Sequence, residues 1–275
     1  MNANTSATTH TTGPVAGDMP AIEVLSAQKI YPNGTQALLP VDLTVRAGEF
    51  VTLLGPSGCG KSTLLKMMAG LLEPSDGRLL LWRKPVAQLD GTARTLAFVF
   101  QEATLMPWAR VHANVRLPLD LAGVPRAEAD VRVAEALASV GLEKFGNSLP
   151  RELSGGMQMR VSIARALVVH PDVLLMDDPF GALDEITRNK LDSDLLALWA
   201  RKKLTVVFVT HSIYEAVFLS SRVVVMAARP GRVVEEIHIA EPTPGTPLFR
   251  VSTTFSRYAR ILQDSLQRAS GEAVW

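Results

Sequence analysis

Apolar residues along this chain fall into short runs and helical stripes separated by turn-forming residues, a pattern that predicts strands alternating with helices. Strand-like pieces come first, at Ile22–Leu25, at Gln36–Val45 with an interruption at Pro40, and at Phe50–Leu54. A helix follows from Lys61 to about Leu71, with Leu64, Leu65, Met68 and Leu72 on one side and Gly70 near its end. Arg78–Leu81 resumes as a strand after the Pro74/Gly77 turn. A helical region over roughly 104–165 contains the stripe Val131, Ala134, Leu137, Ala138 and Val140, with Pro125 upstream and Gly141 as its stop. Strand Val173–Met176, a helix near Glu185–Ala200, strand Thr205–Val209, a helix near Ile213–Leu219 and strand Val223–Met226 complete the series. Strands that are apolar at nearly every position and alternate with helices belong to a parallel sheet covered on both faces, so the predicted class is α/β.

The two ends read differently. Residues 1–20 are Thr, Ala, Asn, Gly and Pro without periodicity, expected as a disordered tail, and they have neither the basic start nor the apolar stretch of a secretory signal. A Pro/Gly-rich linker at 241–247 precedes Val251, Phe255, Tyr258, Leu262 and Leu266 on one helical face. That amphipathic helix either packs on the core or offers a regulatory or dimer contact. The expected organisation is a tail over 1–20, one domain over 21–240 and a linker with helix over 241–275.

Composition removes several function classes. A chain of 275 residues with 47% apolar residues can bury a sizeable core. With 28 Lys+Arg against 27 Asp+Glu, the net charge of +1 supplies no global attraction to nucleic acid. The single cysteine cannot form an intrachain disulfide, which fits a reducing compartment. No apolar run approaches the roughly 18–20 residues that cross a bilayer.

Candidate chemistry begins after Phe50–Leu54. Gly55-Pro56-Ser57-Gly58-Cys59-Gly60-Lys61-Ser62 matches G-x-x-x-x-G-K-[ST] between a strand and a helix, with Thr63 next. Phosphates need many short N–H donors, and a glycine-rich loop lets the backbone come close. Lys61 adds a full charge, the helix N-terminus adds free amides, and Ser62 is placed to offer a hydroxyl to Mg2+. Cys59 reads as a passive small residue or as a nucleophile, although no base is implied beside it. Val173–Asp177 is an apolar strand ending in two carboxylates, Asp177 and Asp178, where a phosphate-loop sheet presents a cation-holding acid.

Between these segments stands Leu153-Ser154-Gly155-Gly156-Met157-Gln158-Met159-Arg160, and with it the chain resembles the ATP-binding cassette (ABC) family over residues 21–230. The ordered matches run from Tyr31 through the phosphate loop, Gln101, the Leu-Ser-Gly-Gly signature and Asp177 to Gly181–Asp184 and His211. The resemblance implies a RecA-like core, an antiparallel β subdomain and an α-helical subdomain. It also implies roles: Tyr31 stacking on adenine, Gln101 as a catalytic residue and, with Ser62 and Asp177, a Mg2+ ligand, Asp184 in a dimer-facing loop and His211 as switch histidine. ATP and Mg2+ are the implied cofactors. The implied partners are a second ATPase subunit, identical or different, and transmembrane permease subunits, with a periplasmic or surface solute-binding protein engaged indirectly. The implied location is peripheral, on the cytoplasmic face of the bacterial inner membrane, with no nucleic acid involved. Segments such as QEATLMPWARVHANVRLPL and MDDPFGALDEITR look most like the ATPase subunits of nitrate, sulfonate and taurine importers.

Ser154, Gly155 and Gly156 would reach ATP held by the partner subunit, so one chain supplies half of each site. The chain departs from the family pattern at Asp178, where Glu is usual. Losing one methylene withdraws the carboxylate by about 1.5 Å, and misplacement of ~1 Å costs ~10²-fold in rate. The expected outcome is slower hydrolysis, with a nucleotide-gated dimerising clamp of little turnover as the alternative. Met157 and Met159 stand where many relatives carry Gln. Met67, Met68 and Trp108 read as packing or subdomain contacts rather than ligands.

Overall fold

The computed structural model describes residues 19–86, 95–240 and 246–270. Expectations for residues 1–18, for 241–245 of the linker and for 271–275 lie outside them. The elements are β1 (Pro20–Ile30), β2 (Gln36–Arg46), β3 (Phe50–Leu54), α1 (Lys61–Met68), β4 (Asp76–Leu81), β5 (Lys84–Pro85) and β6 (Leu96–Val99). Then come α2 (Val111–Leu121), α3 (Arg126–Ser139), α4 (Gly155–Leu167), β7 (Val173–Asp177), α5 (Glu185–Lys202) and β8 (Thr205–Thr210). The chain continues through α6 (Ile213–Leu219), β9 (Arg222–Ala227), β10 (Arg232–His238), α7 (Pro247–Arg250) and α8 (Thr253–Ser270).

The central sheet has the order β10-β9-β3-β8-β7-β6. β9, β3, β8, β7 and β6 run parallel, and β10 adds an antiparallel edge. Alternate residues of the inner strands serve opposite faces, which is why these strands are apolar throughout. Val173, Leu175, Val207, Val209, Val224 and Met226 meet α1 and the second sheet, β2-β1-β4-β5. Leu174, Met176, Val206, Phe208, Val223 and Val225 meet α5, α6 and α8 on the other side. Helices α2, α3 and α4 pack around their own core of Val111, Val115, Leu119, Val133, Leu137 and Val161.

Several boundaries differ from the sequence reading. β1 begins at Pro20, inside the stretch expected to be a tail. β2 runs through Pro40, which is exposed on an edge strand where the pairing with β1 shifts register, a place where a missing N–H costs little. α1 stops at Met68, because Gly70 takes a left-handed φ of 70°. In α3 the buried side is Ala129, Val133, Ala136 and Leu137, whereas Val131 is 58% exposed and Val140 lies past the helix end. The alanines make several stripes of α3 almost equally apolar, and packing against α2 and α4 selects one of them. Pro247, counted with the linker, opens a helical turn that runs to Arg250. The C-terminal stripe is core packing: Phe255, Tyr258 and Leu262 are buried against α6 and β9, and Val251 stands before α8 at 81% exposure.

Candidate functional site

The site forms where the parallel strands end. β3 leads into the loop 55–60, and the glycines there answer to contacts. A Cβ at Gly55 would come 2.5 Å from the Met226 carbonyl oxygen. Gly60 caps α1 at φ 89°, and a Cβ there would strike Leu38 at 2.6 Å. Lys61 is buried; its Nζ donates to the carbonyls of Gly55 at 2.7 Å and Pro56 at 2.9 Å. The Cys59 sulfur, fully buried, lies 3.6 Å from that ammonium.

Beside this loop opens a cleft of about 410 Å³, lined by Tyr31, Gly60, Lys61, Ser62, Thr63 and Arg229 among others. Its size suits a nucleotide-sized ligand. The Tyr31 hydroxyl is 3.3 Å from the Thr63 hydroxyl, which sets the tyrosine against the first turn of α1. Arg229, at φ 61° just after β9, escaped the sequence reading; only the Arg-Pro-Gly turn that follows the strand marks it.

On the next inner strands, Ser62 donates its hydroxyl to Asp177 Oδ1 at 2.7 Å. A hydroxyl beside a buried carboxylate is an all-oxygen donor set, the kind that Mg2+ uses together with phosphate oxygens and water. Asp178 follows at a left-handed φ of 47°, its N–H donating to Val209 at 2.9 Å. Its Oδ2 lies 3.1 Å from His211 Nδ1, while its Oδ1 is buried without a hydrogen-bond partner. Gly181 makes room for this carboxylate, since a Cβ there would stand 2.8 and 2.9 Å from the two oxygens.

The remaining predicted residues form a second group. Gln101 is exposed two residues past Val99 of β6, which pairs with Met176, the residue before Asp177 on β7. Arg165 of α4 fastens this loop by donating to the carbonyls of Ala103 at 3.0 Å and Thr104 at 2.9 Å. Burial lowers the Arg165 pKa. Asn114, fully buried, ties the same loop through Met106, Ala109 and Arg110. Trp108 does not pack: it is 79% exposed, whereas Met67 and Met68 are core.

Ser154 caps α4 by accepting from the Met157 N–H at 3.3 Å, and Asp184 caps α5 by accepting from the Thr187 N–H at 2.9 Å. That backbone N–H holds the Asp184 carboxyl below its usual range. The two caps adjoin, because a Cβ at Gly156 would meet Thr187 Cγ2 at 2.7 Å. Ser154, Gly155 and Gly156 are not walls of the nucleotide-sized cleft in their own chain.

A further group was not legible in the sequence. Arg188 of α5 donates to the carbonyls of Phe180 at 3.3 Å, Gly181 at 3.4 Å and Leu183 at 2.8 Å. It lies 3.7 Å from Glu215 Oε1, and the Thr210 hydroxyl donates to Glu215 Oε2. Burial pushes Glu215 up to about 7, against the Thr210 hydrogen bond, with Asp192 and Asp178 adding to the rise and Arg188 opposing it.

Comparison with known proteins agrees with this geometry. The family model described as ABC transporter matches residues 38–181. An uncharacterized ABC transporter ATP-binding protein of Methanocaldococcus jannaschii is 46% identical over 255 residues, covering 90% of this chain and 93% of the relative. A taurine import ATP-binding protein of Rhizobium johnstonii is 50% identical over 204 residues, 74% of this chain and 77% of the relative. Among solved structures, a dimeric, post-hydrolysis ATP-binding cassette bound to ADP and Pi aligns with a TM-score of 0.71 at 34% identity, covering 80% of this chain and 99% of that one. The chain belongs to the ABC transporter family, as an ATP-binding and ATP-hydrolysing subunit.

Proposed function

We propose that this chain drives an importer for a small anionic or zwitterionic solute of the sulfonate, taurine or nitrate kind, working as a pair of cassettes on the cytoplasmic face of the inner membrane. The 50% identity to a taurine import ATP-binding protein carries the solute class. Its partners in this reading are transmembrane permease subunits and, through them, a periplasmic or surface solute-binding protein. Among the described residues no helix is long and apolar enough to cross a membrane.

The residues divide the work. Tyr31 stacks on the adenine, and the amides of 55–63 with Lys61 hold the phosphates. Ser62, Asp177 and Gln101 would hold Mg2+. When bound, the cation neutralises charge on the phosphoryl oxygens. Asp178 orients the attacking water and accepts its proton, while His211 fixes the Asp178 carboxylate and faces the γ-phosphate. Ser154, Gly155 and Gly156 complete the partner's site, and Asp184 stands in the loop facing that partner. Among the described residues no feature of the geometry favours a non-hydrolysing clamp.

Two measurements test this. Purified protein should show Mg2+-dependent ATP turnover that Lys61→Ala abolishes; turnover surviving that change would overturn the residue assignment. Deleting the gene in its source organism should abolish uptake of labelled taurine or nitrate, and unchanged uptake of every solute in the class would overturn the importer assignment.

A further inference from the structure

Beyond the phosphate loop and the strand ends, a buried charge network joins α5, α6 and α7. Asp192 of α5 is fully buried, and its Oδ2 accepts from Arg250 of α7 at 2.7 Å, while its Oδ1 has no hydrogen-bond partner. The Arg250 guanidinium lies 3.5 Å over the Phe218 ring of α6, which fixes its position as well as its charge. One turn before Asp192 on α5 stands Arg188, which holds the 180–183 carbonyls and Glu215. Glu215, in turn, binds the hydroxyl of Thr210, the residue before His211. Asp192 and Glu215 are therefore two buried carboxyls with Arg188 within electrostatic reach of both.

We infer that Arg250 is a positioning residue for ATP hydrolysis: by satisfying Asp192 it leaves Arg188 on the 180–183 carbonyls and Glu215, and so fixes the loop that carries Asp178 and the turn that carries His211. Remove Arg250, and an ionised Asp192 has one cation left to recruit, the Arg188 guanidinium four residues away on its own helix. A buried charge without a partner is costly enough to draw Arg188 off the loop carbonyls. Gly181 N–H reaches the Asp178 carbonyl from within that same loop, so a shift at 180–183 is felt at the carboxylate. The short C-terminal helical turn is thus coupled to the hydrolytic end of the site, and the inference rests on reading Asp178 and His211 as that end.

The mechanism has a pH signature. The charged and titratable groups facing Asp192 are Arg250 from α7, Arg188 from its own helix and Glu215 from α6, with Asp178 and His211 beyond Glu215. Burial already pushes Asp192 up to about 6 despite the Arg250 hydrogen bond. Without Arg250 it rises further. At mildly acid pH the carboxyl is then neutral and leaves Arg188 in place, and at alkaline pH it is charged and competes for it.

The test is steady-state ATP turnover of the full chain across pH for wild type, Arg250→Gln, Asp192→Asn and the double variant. Relative to wild type, Arg250→Gln should match within about twofold near pH 6 and lose about tenfold in kcat near pH 8.5, with the KM for ATP little changed. The double variant should restore kcat at every pH, because no carboxylate remains at position 192 to compete for Arg188. A loss in Arg250→Gln that is the same at all pH values, or a double variant that stays slow, overturns the inference. If Arg250→Gln alone does not fold, Asp192→Asn decides: near-wild-type turnover is expected, and a tenfold loss overturns it. Wild-type turnover and its loss in Lys61→Ala, measured in the same series, separate failure of this inference from failure of the site assignment.

Discussion

His211 Nδ1 lies 3.1 Å from Asp178 Oδ2, so the residues that follow two neighbouring parallel strands, β7 and β8, meet across the sheet end. Neither is placed by its own helix or strand. Asp178 sits at a left-handed φ of 47°, with its carboxylate laid against Gly181, and His211 begins the turn into α6. The contact ties a carboxylate to the loop that follows the next strand, which is the arrangement a water-orienting group needs if it is to hold one direction.

Asp178→Glu should raise turnover. The shorter aspartate is held back towards His211 and Gly181, and one more methylene carries the carboxylate about 1.5 Å further towards the phosphoryl group. Saturating-ATP turnover of the two proteins decides it; an unchanged or lower kcat in Asp178→Glu shows that this chain's site is built around the shorter acid. His211→Ala, which frees the same carboxylate, should lower kcat by on the order of 10²-fold while nucleotide affinity holds.

Gly181→Ala should slow hydrolysis without unfolding the protein. The added methyl would stand 2.8 Å from Asp178 Oδ2, so the carboxylate must swing away and the His211 contact breaks. About a tenfold loss of kcat is expected, with little change in melting temperature, since Gly181 lies in a loop outside the core clusters. Full activity in this variant would mean the carboxylate already works from another position.

Much of this site was legible because its chemistry is local. The phosphate loop and the Asp177–Asp178 strand end are contiguous motifs, and strands β7, β8 and β9 declare themselves because both faces are buried. Where patterns were ambiguous, tertiary contacts decided. The alanine-rich α3 offers rival apolar stripes, and Pro40 reads as a break until the edge position of β2 is known. Arg188, Asp192, Glu215 and Arg250 were invisible for a different reason: they sit on three helices far apart in sequence, and a lone charge on a helix reads as a solvated face until its neighbours are seen.

Asn114→Ala should destabilise the chain by about 2–4 kcal/mol. Its fully buried amide donates to the carbonyls of Met106, Ala109 and Arg110 and accepts from the Met106 N–H, so truncation strands several backbone groups of the loop after Gln101. Denaturant unfolding measures the loss directly. A change below about 0.5 kcal/mol would mean that water replaces the amide at no cost.

Glu215→Gln should change how stability depends on pH, and the sign follows from the direction of the shift. Burial raises the folded-state pKa from the ordinary 4.5 to about 7. Below the lower value the carboxyl is protonated in both states. Between the two values the folded chain holds a proton that the unfolded chain has released, so the residue's contribution falls as pH rises and is lost in full above about 7. The loss amounts to roughly 3 kcal/mol for a shift of this size, which already includes the opposing effects of Thr210 and Arg188. Glutamine keeps an oxygen for the Thr210 hydroxyl and carries no charge at any pH. Relative to wild type, the variant should therefore gain melting temperature steadily from about pH 5 to about pH 8, beyond which the difference levels off. A difference that is constant over that range would place Glu215 as ionised throughout, held by Arg188 against its burial.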